Sequence, residues 1–216
     1  SILAKQLQKG IGDYIETTFP MTNEPFKGSV EKMLANKGSV YHEPYVAVRL
    51  PFRVAEEMPT CFEAIHPAYL PYVHQQKAFE RLTGDDGRST LVATGTGSGK
   101  TECFLYPILE YCYRHRGERG IKALIIYPMN ALATDQAKRI AELIYGSDEL
   151  RGNVTVGMYV GGQEHTPART MSEHGVITDH ETMLNNAPDI LMTNYKMLDY
   201  LLVRPKDALL WQDNEP

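Results

Sequence analysis

With 216 residues, 43% of them hydrophobic and 23% charged, the chain has the composition of an ordinary globular protein that can bury one core. Its apolar runs fall well short of the roughly 18 residues that a membrane-spanning helix needs, and no signal peptide begins it; both points argue against a membrane partner and favour a cytoplasmic location. A formal net charge of −5 is also unlike the basic balance that is usual in nucleic-acid-binding domains.

Residues 1–65 are predicted to form an accessory region. Apolar side chains recur at near-helical spacing over residues 3–19, and Pro20 ends that helix. A second helix is predicted over residues 29–36 and a short strand over residues 45–50. Because no residue of this region carries recognisable chemistry, packing on the neighbouring domain is favoured over a partner-docking role.

Residues 66–216 alternate between helical and strand patterns, which predicts an α/β fold with a parallel sheet flanked by helices. The predicted strands are residues 90–94, 122–127, 154–159 and 190–193. The helix predicted over residues 100–115 contains Pro107, which should kink it or loosen one turn.

The first chemically informative segment is Tyr72-Val73-His74-Gln75. A glutamine amide offers one donor and one acceptor, which match the N6–H and N7 of adenine. Because the segment resembles the Q motif of superfamily 2 helicases, whose glutamine reads adenine, Tyr72 and Gln75 are candidate nucleotide-binding residues, with Gln76 as a rival for the glutamine role. Taken alone, the segment also fits an amphipathic helix that begins near His74 and carries an exposed glutamine.

Residues 93–101, Ala-Thr-Gly-Thr-Gly-Ser-Gly-Lys-Thr, lie between a β-prone segment and a helical pattern, the setting of a phosphate-binding loop. The glycines let backbone N–H groups turn toward a phosphate, and the helix that follows adds its unpaired N–H groups. Lys100 would reach the β- and γ-phosphates, and the Thr101 hydroxyl would bind Mg²⁺. The strict pattern has glycine where Thr94 stands, but a simple Gly/Thr-rich turn does not explain the Gly-Lys-Thr ending. The candidate loop residues are Thr94, Gly95, Thr96, Gly97, Ser98, Gly99, Lys100 and Thr101, with Lys100 and Thr101 as the catalytic candidates.

Three more segments lie near the ends of predicted strands. They are residues 127–136 (YPMNALATDQ), 159–162 (YVGG) and 188–198 (PDILMTNYKML). In order and approximate spacing, these segments, the glutamine segment and the phosphate loop resemble the Ia, Gly-Gly, Ib, Q and I motifs of superfamily 2 helicases of the DEAD/DEAH-box kind. The resemblance covers residues 69–204. One departure is that Met129 and Asn130 replace the family's Thr-Arg pair, which removes a phosphate-directed cation.

The resemblance implies ATP and Mg²⁺ as cofactors and a nucleic-acid track beside the sheet. The residues it assigns to that track are Pro128, Asn130, Gln136, Gly161, Gly162, Thr193 and Asn194. It further implies that residues 66–216 are the first RecA-like domain of a helicase or translocase. Because the pattern is most like that of large bacterial DNA helicases, DNA is favoured over RNA. A second RecA-like domain of the same full-length protein would be the other partner.

An ATPase of this family also needs an Asp-Glu pair at the end of a later strand, where it serves Mg²⁺ and water. No such pair follows Asn194, and Asp85-Asp86 and Asp148-Glu149 lie in polar, turn-like stretches. We therefore expect a piece of a longer protein that binds nucleotide without hydrolysing it, although the full-length protein would be an ATP-dependent helicase. Two alternatives stay open: a P-loop phosphotransferase acting on a small molecule, and a non-catalytic module that nucleotide stabilises.

Residues 163–188 form a polar insertion, in which a capping box from Thr178 to Glu181 is predicted to open a helix. Its histidines, His165, His174 and His180, fit no common zinc spacing and are predicted to be solvated; a nucleic-acid-binding role for the insertion is the alternative. The chain's three cysteines, Cys61, Cys103 and Cys112, show no paired spacing. They are predicted to be buried free thiols without a disulfide partner.

Overall fold

The computed structural model describes residues 2–36, 38, 50–84, 87–161 and 166–214. It divides into two compact units, Ser1–Pro51 and Phe52–Pro216. Within the described residues, no helix is long and apolar enough to cross a membrane.

The first unit contains the two helices that the apolar spacing predicts. Helix α1 spans Ile2–Thr18 and helix α2 spans Ser29–Ala35, with a 3₁₀ turn at Glu24–Phe26 between them. None of the side chains of α1 is buried. The strand predicted over residues 45–50 falls outside the described residues, except for Leu50.

The first unit ends after Pro51, earlier in the chain than the boundary after residue 65 that the sequence pattern predicts. The reason is backbone pairing: the Ala55 N–H donates to Pro71 O over 2.8 Å, and the Val73 N–H donates to Arg53 O over 2.9 Å. Residues 52–65 are therefore tied to the α/β unit.

From α4 onward, helices and strands alternate along the second unit, as predicted. The helices are α3 (Val73–Thr83), α4 (Lys100–Arg114), α5 (Asn130–Tyr145), α6 (His180–Asn185) and α7 (Tyr195–Val203), followed by a 3₁₀ helix at Pro205–Trp211. The strands are β1 (Ala123–Tyr127), β2 (Val156–Tyr159) and β3 (Ile190–Asn194). Helix α4 continues through Pro107, which is buried.

The three strands form a parallel sheet in the order β1-β3-β2, which confirms the predicted α/β class. Successive residues of the central strand β3 serve opposite faces of the sheet. Ile190 and Met192 pack with residues of α4 and α5, and Leu191 packs with residues of α6, α7 and the last 3₁₀ helix. A sheet covered on both faces explains why all five residues of β3 are buried.

The strand predicted over residues 90–94 is not observed. Among the described residues this segment pairs with no strand, and Leu91 is 92% exposed. A parallel strand exists only where a neighbour accepts and donates its backbone hydrogen bonds. Strand β1, at the edge of the sheet, is not hydrogen-bonded to it, and β1 itself leaves Leu124 and Ile126 exposed.

The predicted capping box at Thr178 is also wrong. Asp179 caps α6, and its carboxylate accepts from both the backbone N–H and the hydroxyl of Thr182. These hydrogen bonds hold the pKa of Asp179 below its ordinary value. Thr178 is used elsewhere, because its hydroxyl accepts from the Ala168 N–H over 2.8 Å.

Candidate nucleotide and nucleic-acid site

The loop between residues 94 and 100 curls in front of α4. Gly97 and Gly99 have φ angles of 75° and 69°, in the left-handed region that favours glycine. Gly99 is the N-cap of α4. A Cβ added at Gly97 would meet no atom within 4 Å, so the space beside Gly97 is open. A glycine-built turn, a helix N-terminus and open space together fit a bound phosphate.

Side chains of the loop bond to the loop's own atoms. Lys100 Nζ donates to Thr94 O over 3.1 Å and to Gly95 O over 2.7 Å. The hydroxyls of Thr94 and Ser98 lie 2.5 Å apart. The ammonium is thus held against the backbone of the loop by bonds that a phosphate oxygen could replace.

Gln75 joins the upstream segment to this loop. Its Oε1 accepts from the Tyr72 N–H over 2.8 Å, and its Nε2 donates to Gly99 O over 3.0 Å. The side chain is mostly buried, and a Cβ on Gly99 would stand only 2.4 Å from Nε2. One lone pair of Oε1 and one N–H of Nε2 remain for a base. Of the two glutamines, Gln75 is therefore the one placed against the phosphate loop.

The sequence did not predict the aromatic cluster that lies beside Gln75. The rings of Phe52 and Tyr72 lie 5.4 Å apart, and His74 stacks on Tyr72 at 5.7 Å. His74 Nε2–H donates to Ser98 O over 2.8 Å, which ties the cluster to the loop. Phe52 follows Pro51 in the segment assigned to the accessory region, so only the backbone pairing of residues 53–55 reveals its place.

A second cluster forms where the carboxyl ends of the three strands meet. Asn130 Nδ2 donates to Gly161 O over 2.7 Å, and Asn194 Nδ2 donates to Asn130 Oδ1 over 2.7 Å. These residues come from the Ia-like, Gly-Gly-like and Ib-like segments. The structure thus brings together three segments that the sequence assigns to one nucleic-acid track.

The other residues assigned to that track differ in accessibility. Pro128 is exposed beside Asn130, whereas Thr193 is fully buried and its hydroxyl donates to Tyr159 O over 2.7 Å. Gln136 is half-buried on α5, and its Oε1 has no hydrogen-bond partner. Gly162 lies outside the described residues. Thr193 can therefore shape the track but does not present its hydroxyl to a ligand in this conformation.

A charged cluster lies near the end of β2. Asp207 is fully buried between Arg204, at 2.7 Å, and His180, at 3.1 Å. Arg204 also donates to the Tyr159 hydroxyl over 3.1 Å, a bond that raises the pKa of the guanidinium. His180 is thus half-buried and paired, contrary to the prediction of a solvated histidine.

The other two histidines of the insertion have different outcomes. His174 is exposed, 3.5 Å from Glu142, as a solvated histidine should be. His165 lies outside the described residues.

All three cysteines are free thiols, but their surroundings differ. Cys103 and Cys112 are buried, whereas Cys61 is partly exposed. Burial, reinforced by the charge of Asp189, raises the pKa of Cys112 to about 12. Burial also raises the pKa of Cys103, which lies on the first turn of α4 behind the loop.

Comparison with known proteins places these features in one family. The DEAD/DEAH box helicase family model matches residues 72–213, which include Gln75, the phosphate loop and the Asn130–Gly161–Asn194 cluster.

The similar proteins are named as ATP-dependent helicases or, in one case, as a Druantia protein. The chain is 25% identical over 315 residues to the Druantia protein DruE of Escherichia coli (strain UMEA 4076-1), an alignment that covers 98% of this chain and 17% of that protein. It is 30% identical over 117 residues to the uncharacterized ATP-dependent helicase YprA of Bacillus subtilis (54% and 15%). It is also 30% identical over 161 residues to the probable ATP-dependent RNA helicase ddx27 of Dictyostelium discoideum (69% and 18%). The chain thus spans less than a fifth of the length of each.

Proposed function

The chain belongs to the DEAD/DEAH box helicase family, and we propose that it is the ATP-binding first RecA-like domain of a longer helicase or translocase that acts on DNA. The observation that carries the proposal is the contact between Gln75 and Gly99. It joins a group able to read adenine to a loop able to hold phosphates. A generic P-loop fold has no need of that juxtaposition.

In this proposal the loop residues divide the work of holding ATP and Mg²⁺. Lys100 would exchange its bonds to Thr94 O and Gly95 O for bonds to phosphate oxygens. The Thr101 hydroxyl would hold Mg²⁺, which supplies charge neutralisation to the phosphates when bound. Gln75 would use its free N–H and lone pair to select adenine. The neighbouring rings of Phe52 and Tyr72 offer a face for the base.

The nucleic-acid track is proposed at the carboxyl ends of the strands, around Asn130 and Gly161. The exposed Asn130 and the half-buried backbone of Gly161 could contact a sugar-phosphate chain independently of its sequence. Because the family's arginine is replaced by Asn130, these contacts should be few and weak, and salt should weaken them further. DNA is proposed over RNA on the resemblance to large bacterial DNA helicases, while a relative named as an RNA helicase makes RNA the competing outcome.

We further propose that the 216 residues by themselves bind ATP without hydrolysing it. Asp148 and Glu149 follow α5 in turns, and Glu149 is bonded to Ser147. Neither residue stands at the end of a strand, where the family's acidic pair serves Mg²⁺. Hydrolysis of ATP and movement along a nucleic-acid strand would then need residues of the longer protein.

The decisive experiment titrates a fluorescent ATP analogue with Mg²⁺ into the wild-type chain, Lys100→Ala and Lys138→Ala. Lys138 is an exposed lysine of α5 whose Nζ lies 3.9 Å from Glu142, so its removal makes the same charge change outside the loop. Saturable binding that only Lys100→Ala abolishes supports the proposal. If the folded wild-type chain does not bind, the ATP-binding role is wrong; if both variants bind as well as wild type, the nucleotide does not bind at the phosphate loop and the proposed site is wrong.

A second experiment separates DNA from RNA. Single-stranded DNA and RNA of one sequence are compared at low and moderate salt, because only the 2′-hydroxyl distinguishes the two backbones. Tighter binding of DNA supports the proposed substrate, and tighter binding of RNA replaces it. The phosphotransferase alternative is disfavoured by the family match over residues 72–213. The ATP-analogue titration, combined with a screen of small-molecule phosphate acceptors that shows no phosphate transfer, would exclude this alternative.

A further inference from the structure

Two charged residues link the phosphate-loop helix to the helix that opens the nucleic-acid track. Glu102, in the first turn of α4, forms an ion pair with Arg139 of α5. The Glu102 side chain is 17% exposed and the Arg139 side chain 42% exposed. The carboxylate is therefore the shielded partner of the pair, while the guanidinium is partly exposed to water.

The second carboxylate oxygen of Glu102 faces the loop. Its Oε2 is buried and has no hydrogen-bond partner, and it lies 3.0 Å from the position that a Cβ on Gly99 would occupy. An unpartnered buried oxygen is costly, so its neighbourhood is a place where a small rearrangement gains free energy. Gly99 is also the residue whose carbonyl accepts from Gln75.

The position of Glu102 also sets the charge that a nucleotide meets. A carboxylate in the first turn of a helix is favoured by the helix dipole, but here it stands beside the proposed phosphate site. A bound phosphate and the Glu102 carboxylate repel each other, and the Arg139 guanidinium offsets that repulsion. Nucleotide binding should therefore change how tightly Glu102 holds Arg139.

Arg139 is nine residues after Asn130 on the same continuous helix, a separation of about 13 Å. Toward Asn130, the buried face of α5 is made of alanines, Ala133 and Ala137. Helix α5 is continuous between Asn130 and Arg139, so a rearrangement at one end of this stretch can be passed along the helix to the other. A pull at Arg139 would then reach Asn130, which bonds Gly161 and Asn194.

We propose that the Glu102–Arg139 ion pair couples nucleotide binding at the phosphate loop to nucleic-acid binding at the start of α5. The proposal rests on the proposed function, since it needs both ligands. Coupling is reciprocal, so nucleotide and nucleic acid change each other's affinity by one factor. Both residues are positioning residues, because neither is placed in contact with a reacting atom.

The test measures the Kd of a fluorescent ATP analogue with Mg²⁺, in the absence and at saturation of a single-stranded oligonucleotide, for wild type, Arg139→Met and Lys138→Met. The control removes a positive charge from the adjacent, exposed position of α5. We expect the ratio of the two Kd values to differ from one by about fivefold or more in wild type and Lys138→Met, as is typical of allosteric coupling. In Arg139→Met the ratio should fall close to one.

Two further variants keep the test independent of folding. Glu102→Gln breaks the ion pair from the other side without changing side-chain volume and should also bring the ratio close to one. Arg139→Lys keeps a cation and should retain part of the coupling. A merely structural role would lower both affinities while leaving the ratio unchanged.

The results separate this inference from the proposed function. A wild-type chain that binds neither ligand overturns the proposed function itself. A wild-type chain that binds both with a ratio of one, or an Arg139→Met chain that keeps the wild-type ratio, overturns the coupling and leaves the proposed function standing.

Discussion

Asn194 donates from Nδ2 to Oδ1 of Asn130 over 2.7 Å, across 64 residues of sequence. The same side chain caps α7, since its Oδ1 accepts from the Met197 N–H over 2.9 Å. Asn130 in turn donates to Gly161 O. In this chain of hydrogen bonds, each of the two asparagine amides donates from its nitrogen to one partner and accepts with its oxygen from another. A single asparagine therefore fixes both the start of α7 and the geometry of the candidate track.

This double use predicts different outcomes for two substitutions at Asn194. Asn194→Asp keeps an oxygen to cap α7 but loses the donor to Asn130 and brings a negative charge to the track. We expect α7 to stay capped but the chain to lose stability, because the carboxylate would be buried and would face Asn130 Oδ1, and we expect weaker oligonucleotide binding. Asn194→Ala loses both bonds, so we expect about 1–2 kcal/mol of lost stability as well. Urea unfolding and oligonucleotide titration measure the two effects separately.

Asn153→Asp is a suitable control for the added charge, because Asn153 is exposed and bonds only within its own turn, to Glu149 O. It should bind oligonucleotide as wild type does. Equal weakening in both aspartate variants would mean that the effect comes from net charge and not from the track.

The two left-handed glycines of the phosphate loop should differ in their tolerance of alanine. Gly97→Ala incurs only the cost of a left-handed alanine, about 1–2 kcal/mol, because a Cβ there meets no atom within 4 Å. Gly99→Ala adds a Cβ 2.4 Å from Gln75 Nε2. It should therefore displace Gln75, cost about 1–3 kcal/mol more and abolish adenine preference.

The measurement is stability by denaturant together with affinity for ATP and GTP analogues. Gln75→Ala combined with Gly99→Ala should recover part of the lost stability, because the clashing amide is gone. No recovery in the double variant would show that the crowding at Gly99 comes from Glu102 Oε2, the other atom close to that Cβ, and not from Gln75.

Local patterns were enough to predict the elements that carry local signals. The glycines and Gly-Lys-Thr ending identified the loop, and apolar runs followed by Asn130, Gly161 and Asn194 identified three strand ends that do meet. Parallel topology explains this success, since carboxyl ends of neighbouring parallel strands share one edge of the sheet.

What the patterns missed depends on contacts distant in sequence. A strand was predicted over residues 90–94 from its apolar residues, but pairing requires a neighbour that propensity does not supply. The burial of Glu110 also depends on contacts distant in sequence, because its carboxylate accepts from the backbone N–H groups of Glu63 and Ala64. The sequence predicts a solvated His180, because nothing near it in the chain indicates its partner: Asp207 is 27 positions away and is itself a polar residue.

Adjacent isoleucines of β1 should respond oppositely to threonine. Ile125 is 7% exposed in the core, so Ile125→Thr buries a hydroxyl and should destabilise the chain by about 2 kcal/mol or more. Ile126 is 49% exposed, so Ile126→Thr should change stability by less than about 0.5 kcal/mol. Because Leu124 and Ile126 expose apolar surface together, Ile126→Thr should also reduce self-association. Urea unfolding and light scattering at several concentrations test both statements, and equal destabilisation by the two variants would contradict the assigned faces of β1.

The buried thiol of Cys112 predicts how stability changes in alkali. Its pKa is raised to about 12 in the folded chain by burial, from an ordinary value of 9.0. Between these values the unfolded chain has lost the proton and the folded chain still holds it, so the unfolded state binds fewer protons and stability falls as pH rises. The stabilising contribution is fully present below pH 9, and ionisation of this thiol alone removes up to about 1.4 kcal/mol of stability for each pH unit above it.

Cys112→Ala should be less stable than wild type at pH 8, because the substitution leaves a cavity. Between pH 9 and pH 11 it should nevertheless lose stability less steeply than wild type. Cys61→Ala, at a partly exposed position, should keep the wild-type slope. Urea unfolding curves at pH 8, 9, 10 and 11 give the three slopes, and identical slopes for wild type and Cys112→Ala would show that this thiol does not control the alkaline loss.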